Sequence, residues 1–362
     1  MHRVLVDKIR SYGDRASIAG QRQGTINGGN LDVHPEFLKL ALFELFAEKG
    51  IDYQLYSPVV DVLQENDSLK GVVIQEHTGE QTISAHQIVD ATGDGDLCYF
   101  AGCEMASGRK TDGRHMPLTL VFALSNVDTE QFFDFINQKN DLWAEKLTAA
   151  RQKEQFWLAD WYSFDRTTVP GAVSVNNGGT GDLNLEGTKS SHLTVGERVG
   201  LKLAHDFVNF AHQYQLPGLK DCHLIRTGDY VGVRDTRRLV GEYVLTEEDI
   251  MEGREFPDTV ARKYGAMDAV GFDSGRLIKQ GAAYPFRSLL PHRVDNLLAA
   301  GRCGSASFKG HSGGKSMGNM LALGQAAGTA AALAAKNKKP PRRLEVKKIQ
   351  NELQKRDALQ LT

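Results

Sequence analysis

Val4, Leu5 and Ile9 are spaced to lie on one face of a short amphipathic helix over residues 2–12. Residues 17–33 are polar and glycine-rich, ending in Gly28-Gly29-Asn30, and predict a loop. Pro35 then opens a helix reaching Lys49, in which Phe37, Leu38, Leu42, Leu45 and Phe46 recur at helical spacing before a capping Gly50. Short runs rich in β-branched residues predict strands at 51–55, 59–64, 71–76 and 81–89. The last of these runs into IVDATGDGD, 88–96, an apolar strand delivering a glycine–acid turn.

Residues 116–125 predict a further strand, 127–165 a helical and aromatic stretch, and 166–192 a polar loop. A helix is predicted from Thr194 to Tyr214, strand–turn–strand over 223–245, and another helix over 246–263. Tyr284-Pro285-Phe286-Arg287 returns to strand and turn, and 297–300 is an apolar strand leading to Gly301. The alanine-rich stretch 317–336 predicts a long helix, and the tail from 337 a charged, solvated helix. No internal repeat is visible.

Composition adds little beyond excluding classes. With 41% apolar and 24% charged residues over 362 positions, the chain has the balance of a soluble globular protein of two or three domains. A net charge of −2 removes any global basic field for nucleic acid. No window reaches 18 uninterrupted apolar residues, so no membrane span is expected. MHRVLVDKIRSYGDR lacks an apolar core, so it predicts no signal peptide, and a cytoplasmic location is expected. Cys98, Cys103, Cys222 and Cys303 have no metal spacing and are expected to be reduced thiols. The 37 glycines, roughly 10% against a usual 7%, concentrate at 92–113, 178–187 and 301–328, where tight loops would bring backbone close to a ligand.

Three stretches carry candidate chemistry. In Ala91-Thr92-Gly93-Asp94-Gly95-Asp96, the two glycines would let backbone N–H groups approach a phosphate or ribityl oxygen, against the plainer reading of a strand-ending turn. In GVRDTRRLVG, Arg234, Arg237 and Arg238 flank Asp235, and a guanidinium there could clamp a substrate carboxylate; the alternative is a structural Arg–Asp network. In GRCGSASFKGHSGGKSMGNMLALGQAAG, a strand and loop lead into a helix whose N-terminus carries free N–H groups and partial positive charge. GHSGGKS there resembles a phosphate-binding Walker loop, but only three residues separate Gly310 and Gly314 where four are required.

Taken with HPEFLKLALFELFAEKG and the strands after it, these stretches resemble the FAD-dependent oxidoreductase family, two-dinucleotide-binding-domain flavoproteins with a glutathione-reductase-like FAD fold. The order and spacing match over nearly the whole chain apart from the tail. The resemblance implies an α/β fold: a Rossmann-like FAD/NAD(P)-binding domain, formed by 1–115 and 284–340, with an inserted α+β substrate domain over 116–283 and a charged tail over 341–362. It implies FAD as cofactor, contacted by Val60, Ala91, Thr92, Gly93, Asp94, Gly95, Asp96, Gly301, Arg302, Gly318, Asn319 and Met320. Gly324, Ala326, Ala327 and Gly328 are expected to let the last helix pack closely on the sheet. His311, with Lys315 beside it, is the candidate base for hydride transfer, and Arg234 the candidate substrate clamp. His34 and His115 also fall in matching stretches. No metal is expected.

The family opens on a strand, a G-x-G-x-x-G turn and a helix. Residues 1–30 contain only Gly13, Gly20, Gly24, Gly28 and Gly29, so the first βαβ unit is expected to be missing. A start at an internal methionine, a unit supplied by another polypeptide, or a relic without flavin would each account for that. The expected function is hydride transfer from a small polar organic substrate to flavin, with an electron acceptor of unassigned class and room for a homo-oligomer. One alternative is a truncated or partner-dependent subunit without catalysis. Another is a carbohydrate-binding module built on Trp143, Trp157 and Trp161, although aromatic residues so spaced usually belong to a core.

Overall fold

The computed structural model describes residues 2–19, 31–153, 155–269, 273–279, 281–313 and 315–359; Gly20, Gly24, Gly28, Gly29, Asn30 and Gly314 lie outside them. The chain forms two compact units. One comprises Met1–Arg3, Ile51–His115 and Asp235–Thr362, the other Val4–Gly50 and Met116–Arg234.

In the first unit, strands Ile88–Asp90 and Leu297–Ala299 pair in parallel, Leu297 opposite Ile88. All three residues of the second strand are buried, as a strand covered on both faces requires. Helix Met317–Asn337 follows and turns Leu323, Ala326, Ala327, Ala330 and Ala334 inward. Ala326 and Ala327 pack into the core as expected, but Gly324 and Gly328 do not: they are exposed, and a Cβ at either would meet nothing within 4 Å. A three-stranded antiparallel sheet, Val59–Glu65, Ser68–Glu76 and Gly79–Ser84, lies in the same unit. Buried Asn296 ties this sheet to the parallel pair. Its amide accepts from Leu69 N–H at 2.8 Å and donates to the carbonyls of Leu69 at 2.7 Å and His86 at 3.1 Å.

Three predicted elements differ here. Residues 51–55 form no strand: Ile51, Tyr53 and Leu55 are about half exposed, and no described strand pairs with them. The helix predicted over 246–263 is cut to Glu247–Glu252, because Gly253 takes a left-handed φ of +69° and Pro257 follows. The chain then re-enters as strand Thr259–Lys263, antiparallel to Ala282–Pro285. The tail is not fully solvated. Helix Val346–Lys355 buries Ile349 and Leu353, each contributing roughly 1.5–3 kcal/mol. Buried Gln350 donates to the carbonyls of Pro257 at 2.9 Å and Thr259 at 3.1 Å.

The second unit is built on a four-stranded antiparallel sheet in the order His223–Thr227, Phe122–Ser125, Val173–Asn177, Tyr162–Arg166. The third of these lies inside the predicted loop 166–192; its alternating burial follows the period-2 pattern of Val173-Ser174-Val175. Residues 127–165 divide into helices Thr129–Gln138 and Asn140–Gln152 before the strand Tyr162–Arg166. Helix Ser190–Gln213 buries Phe207 and Phe210 in the same core as Phe122, Phe132 and Trp143. Gly196 and Gly200, one turn apart, make room for Leu118 and Leu120; a Cβ on Gly200 would sit 2.4 Å from Leu120 Cβ. Trp143 is a core residue, edge-on to Phe164 at 5.5 Å and Phe210 at 6.1 Å, whereas Trp157 is half exposed. Among the described residues, no helix is long and apolar enough to cross a membrane.

Candidate functional site

The turn 91–96 is built by the residue before it. Asp90 is fully buried, and Oδ1 accepts from Thr92 N–H at 3.1 Å and Thr92 Oγ1 at 2.8 Å while Oδ2 accepts from Cys98 N–H at 2.9 Å. Thr92 Oγ1 accepts in turn from Asp96 N–H at 3.0 Å. This wraps the chain into two left-handed positions, Gly93 at φ +85° and Gly95 at φ +67°, which favour glycine. The space a side chain would take is filled: a Cβ on Gly93 would lie 2.8 Å from Arg302 Nη2, and one on Gly95 2.6 Å from Met105 Cε. Among the described residues, the N–H groups of Asp94 and Gly95 have no partner, so the turn presents two adjacent donors.

GVRDTRR buttresses this turn. Thr236 Oγ1 donates to Asp94 at 2.6 Å, and Arg302 Nη1 pairs with the same carboxylate at 2.8 Å. Arg237 bonds Asp96, donates from Nε to the Asp94 carbonyl at 3.0 Å and lies 4.3 Å over the Tyr99 ring. Burial pushes the Asp96 carboxyl up despite that pairing. Arg238 is buried against Asp235 and donates to Gly108 O at 2.8 Å and Ala306 O at 3.2 Å. Asp235 also meets His115 Nδ1 at 3.0 Å. Burial alone would raise Asp235, but the His115 hydrogen bond and the nearby Arg238 and His311 charges outweigh it and hold the carboxyl below the usual range. For Arg237 and Arg238, the structural network describes the side chains.

At the end of strand Leu297–Ala299, Gly301 has φ +109° and open space where a Cβ would point. It lines a small cavity of about 20 Å³, room for one water-sized group. His311, Lys315, Met320, Ser288, Tyr284 and Lys263 also line it, and among the described residues no carboxylate does. His311 is buried on the one-turn helix Phe308–Ser312. Lys263 is wholly buried; Nζ donates to Gly310 O at 3.0 Å and lies 4.6 Å from the Tyr284 ring centroid. Burial pushes its amine down to about 7. A wholly buried lysine beside a cavity is a group that exchanges a proton near neutral pH.

Helix Met317–Asn337 starts at the same place. The Ser316 side chain makes no cap, and Met317 and Gly318 N–H groups have no partner among the described residues. Asn319 is buried, and its amide is bonded both ways to the Tyr264 backbone, at 3.1 and 2.7 Å. Val60 is half-buried in strand Val59–Glu65, and Ala91 and Thr92 are exposed at the start of the turn. Thus Gly301, Met320, His311 and Lys315 share one cavity, and Arg302 joins Gly93 and Asp94. Arg234 belongs to the second unit. Lys263 and Asp90 carried no signal: Lys263 stood at the end of a predicted helix, and Asp90 ended an apolar strand like any surface acid.

Two pairs of backbone N–H groups unpartnered among the described residues, an open left-handed glycine and a basic cavity make a donor set that fits an anionic, oxygen-rich ligand such as FAD. The family model for FAD dependent oxidoreductases matches residues 2–353. No curated protein matches the chain. Similar solved structures include a geranylgeranyl bacteriochlorophyll reductase-like protein from Thermoplasma acidophilum, 13% identical over 94% of this chain and 68% of that one, TM-score 0.42. The OxyS anhydrotetracycline hydroxylase from Streptomyces rimosus is 11% identical over 92% of this chain and 53% of its own, TM-score 0.43. L-proline dehydrogenase from P. horikoshii is 16% identical over 92% and 63%, TM-score 0.35.

Proposed function

Because the chain belongs to the FAD dependent oxidoreductase family, we propose that it oxidises a small polar organic substrate, an alcohol or an amine, by hydride transfer from carbon. Bound FAD supplies the two-electron acceptor. The observation that carries this reading is the grouping of His311, Lys263 and Lys315 beside Gly301 at the start of helix Met317–Asn337, with no carboxylate lining the cavity they share among the described residues. His311 takes the proton released from the substrate O–H or N–H as the carbon gives up its hydride. Lys315 holds the negative charge that builds beside it, and Lys263, its amine pushed down to about 7, exchanges a proton at the same cavity. The N–H groups of Asp94, Gly95, Met317 and Gly318 would hold the cofactor, and Arg302 fixes the Asp94 turn.

Visible absorbance of the purified chain, titrated with FAD, tests the cofactor half. A flavin band in stoichiometric amount is expected, and a chain that stays colourless at saturating FAD refutes it. Anaerobic bleaching of that band by small alcohols, amines and hydroxy acids then tests the reaction. His311→Ala should bind FAD like the parent and bleach at least about a hundredfold more slowly.

A further inference from the structure

Helix Asp96–Phe100 ends in a double closure. Cys103 N–H donates to Cys98 O at 2.9 Å, and Gly102 N–H donates to Tyr99 O at 3.0 Å, with Gly102 left-handed at φ +70°. This is the Schellman arrangement, in which the residue two places past the helix cap folds back onto the third residue from its end and their side chains touch. Here the two residues so juxtaposed are cysteines, and both belong to one core cluster. Cys98 is fully buried and Cys103 half-buried. The neighbouring Cys98 thiol pulls the Cys103 thiol below its usual range, while Cys103 and burial push Cys98 up. A third thiol, Cys303, packs in the same core, but its Sγ faces the carbonyls of Asp90 at 3.7 Å and Ala300 at 3.8 Å.

We propose that Cys98 and Cys103 are an oxidisable dithiol that hydrogen peroxide converts to a disulfide, with Cys103 the attacking and Cys98 the resolving sulfur. Cys103 thiolate attacks one peroxide oxygen; the O–O bond breaks, hydroxide leaves and takes up a proton as water, and Cys103 becomes a sulfenic acid. Cys98 then loses its proton and attacks the Cys103 sulfur. The S–S bond forms, the S–O bond breaks, and a second water leaves. Two thiols are oxidised by two electrons, and one peroxide is reduced to two waters. The helix cap brings the two residues together through the backbone, Cys103 N–H on Cys98 O. The cross-link closes on the helix that begins at Asp96, at the end of the candidate cofactor turn.

The full-length protein is treated with hydrogen peroxide and read by intact mass and non-reducing peptide mapping. The expected product has lost two hydrogens, joins Cys98 to Cys103, and returns to the starting mass with dithiothreitol. Before oxidation, Cys103 should react with iodoacetamide at least about tenfold faster than buried Cys222. Cys98→Ser should instead trap one oxygen on Cys103, reactive toward dimedone, and Cys303→Ala should leave the cross-link unchanged. A bond to Cys303 or Cys222, over-oxidation of Cys103 without a cross-link, or no preference for Cys103 would overturn the proposal. The map of the unmodified chain decides between these outcomes even where a variant fails to fold.

Discussion

Lys263→Met is the perturbation whose sign the structure fixes most firmly. Burial lowers this amine from 10.5 to about 7. At roughly 1.4 kcal/mol for each tenfold, charging the amine inside the fold costs on the order of 5 kcal/mol. The folded value is depressed, so between pH 7 and 10.5 the unfolded chain holds a proton that the folded chain has released, and stability rises with pH across that window. Below pH 7 both states are protonated and the whole cost is borne. From pH 7 to pH 9, the parent should therefore gain about 2 kcal/mol relative to Lys263→Met. The variant also strands Gly310 O, which now accepts from Lys263 Nζ at 3.0 Å, at a cost of about 1–3 kcal/mol. It should be the more stable protein at pH 6 and lose that lead by pH 9. Urea unfolding of both proteins at several pH values reads the difference directly. Curves that stay parallel from pH 6 to pH 9 would refute a neutral buried amine, and with it any role for Lys263 in exchanging protons near neutral pH.

Other perturbations test the remaining parts of the site. Asp90→Ala leaves the Thr92 and Cys98 N–H groups without their acceptor; it should cost about 2–4 kcal/mol in denaturant unfolding and abolish the flavin band at FAD levels that saturate the parent. Gly93→Ala must hold φ +85° and push aside the Arg302 guanidinium, for a loss of about 1–2 kcal/mol and weaker FAD binding in an absorbance titration. Arg238→Met leaves buried Asp235 with His115 as its remaining charged partner and should destabilise by about 3–5 kcal/mol; adding Asp235→Asn should recover much of that loss, and a purely additive double variant would argue against the pair.

Much of the local architecture can be read from local rules. Pro35 and the spacing of Phe37, Leu38, Leu42, Leu45 and Phe46 place a helix at Pro35–Glu48, and the alanine-rich stretch places Met317–Asn337. The turn DATGDGD is legible because two glycines after an apolar strand can meet left-handed φ at little cost. The helix predicted over 246–263 fails because a run of apolar positions does not say whether Gly253 will adopt the left-handed cap that ends it.

The sequence by itself determined the longer helices, the glycine–acid turn and the family, because periodicity, caps and short motifs are properties of neighbouring residues. Only the tertiary structure decided what those residues touch. Arg302, 209 positions from Gly93, fills the space beside it. Arg237 and Arg238 serve carboxylates of the fold, and the Asn319 amide is taken up by Tyr264. Gly324 and Gly328 face open space instead of the sheet. Lys263 was the least visible in advance: burial sets its proton affinity, and burial depends on which distant segments fold against it.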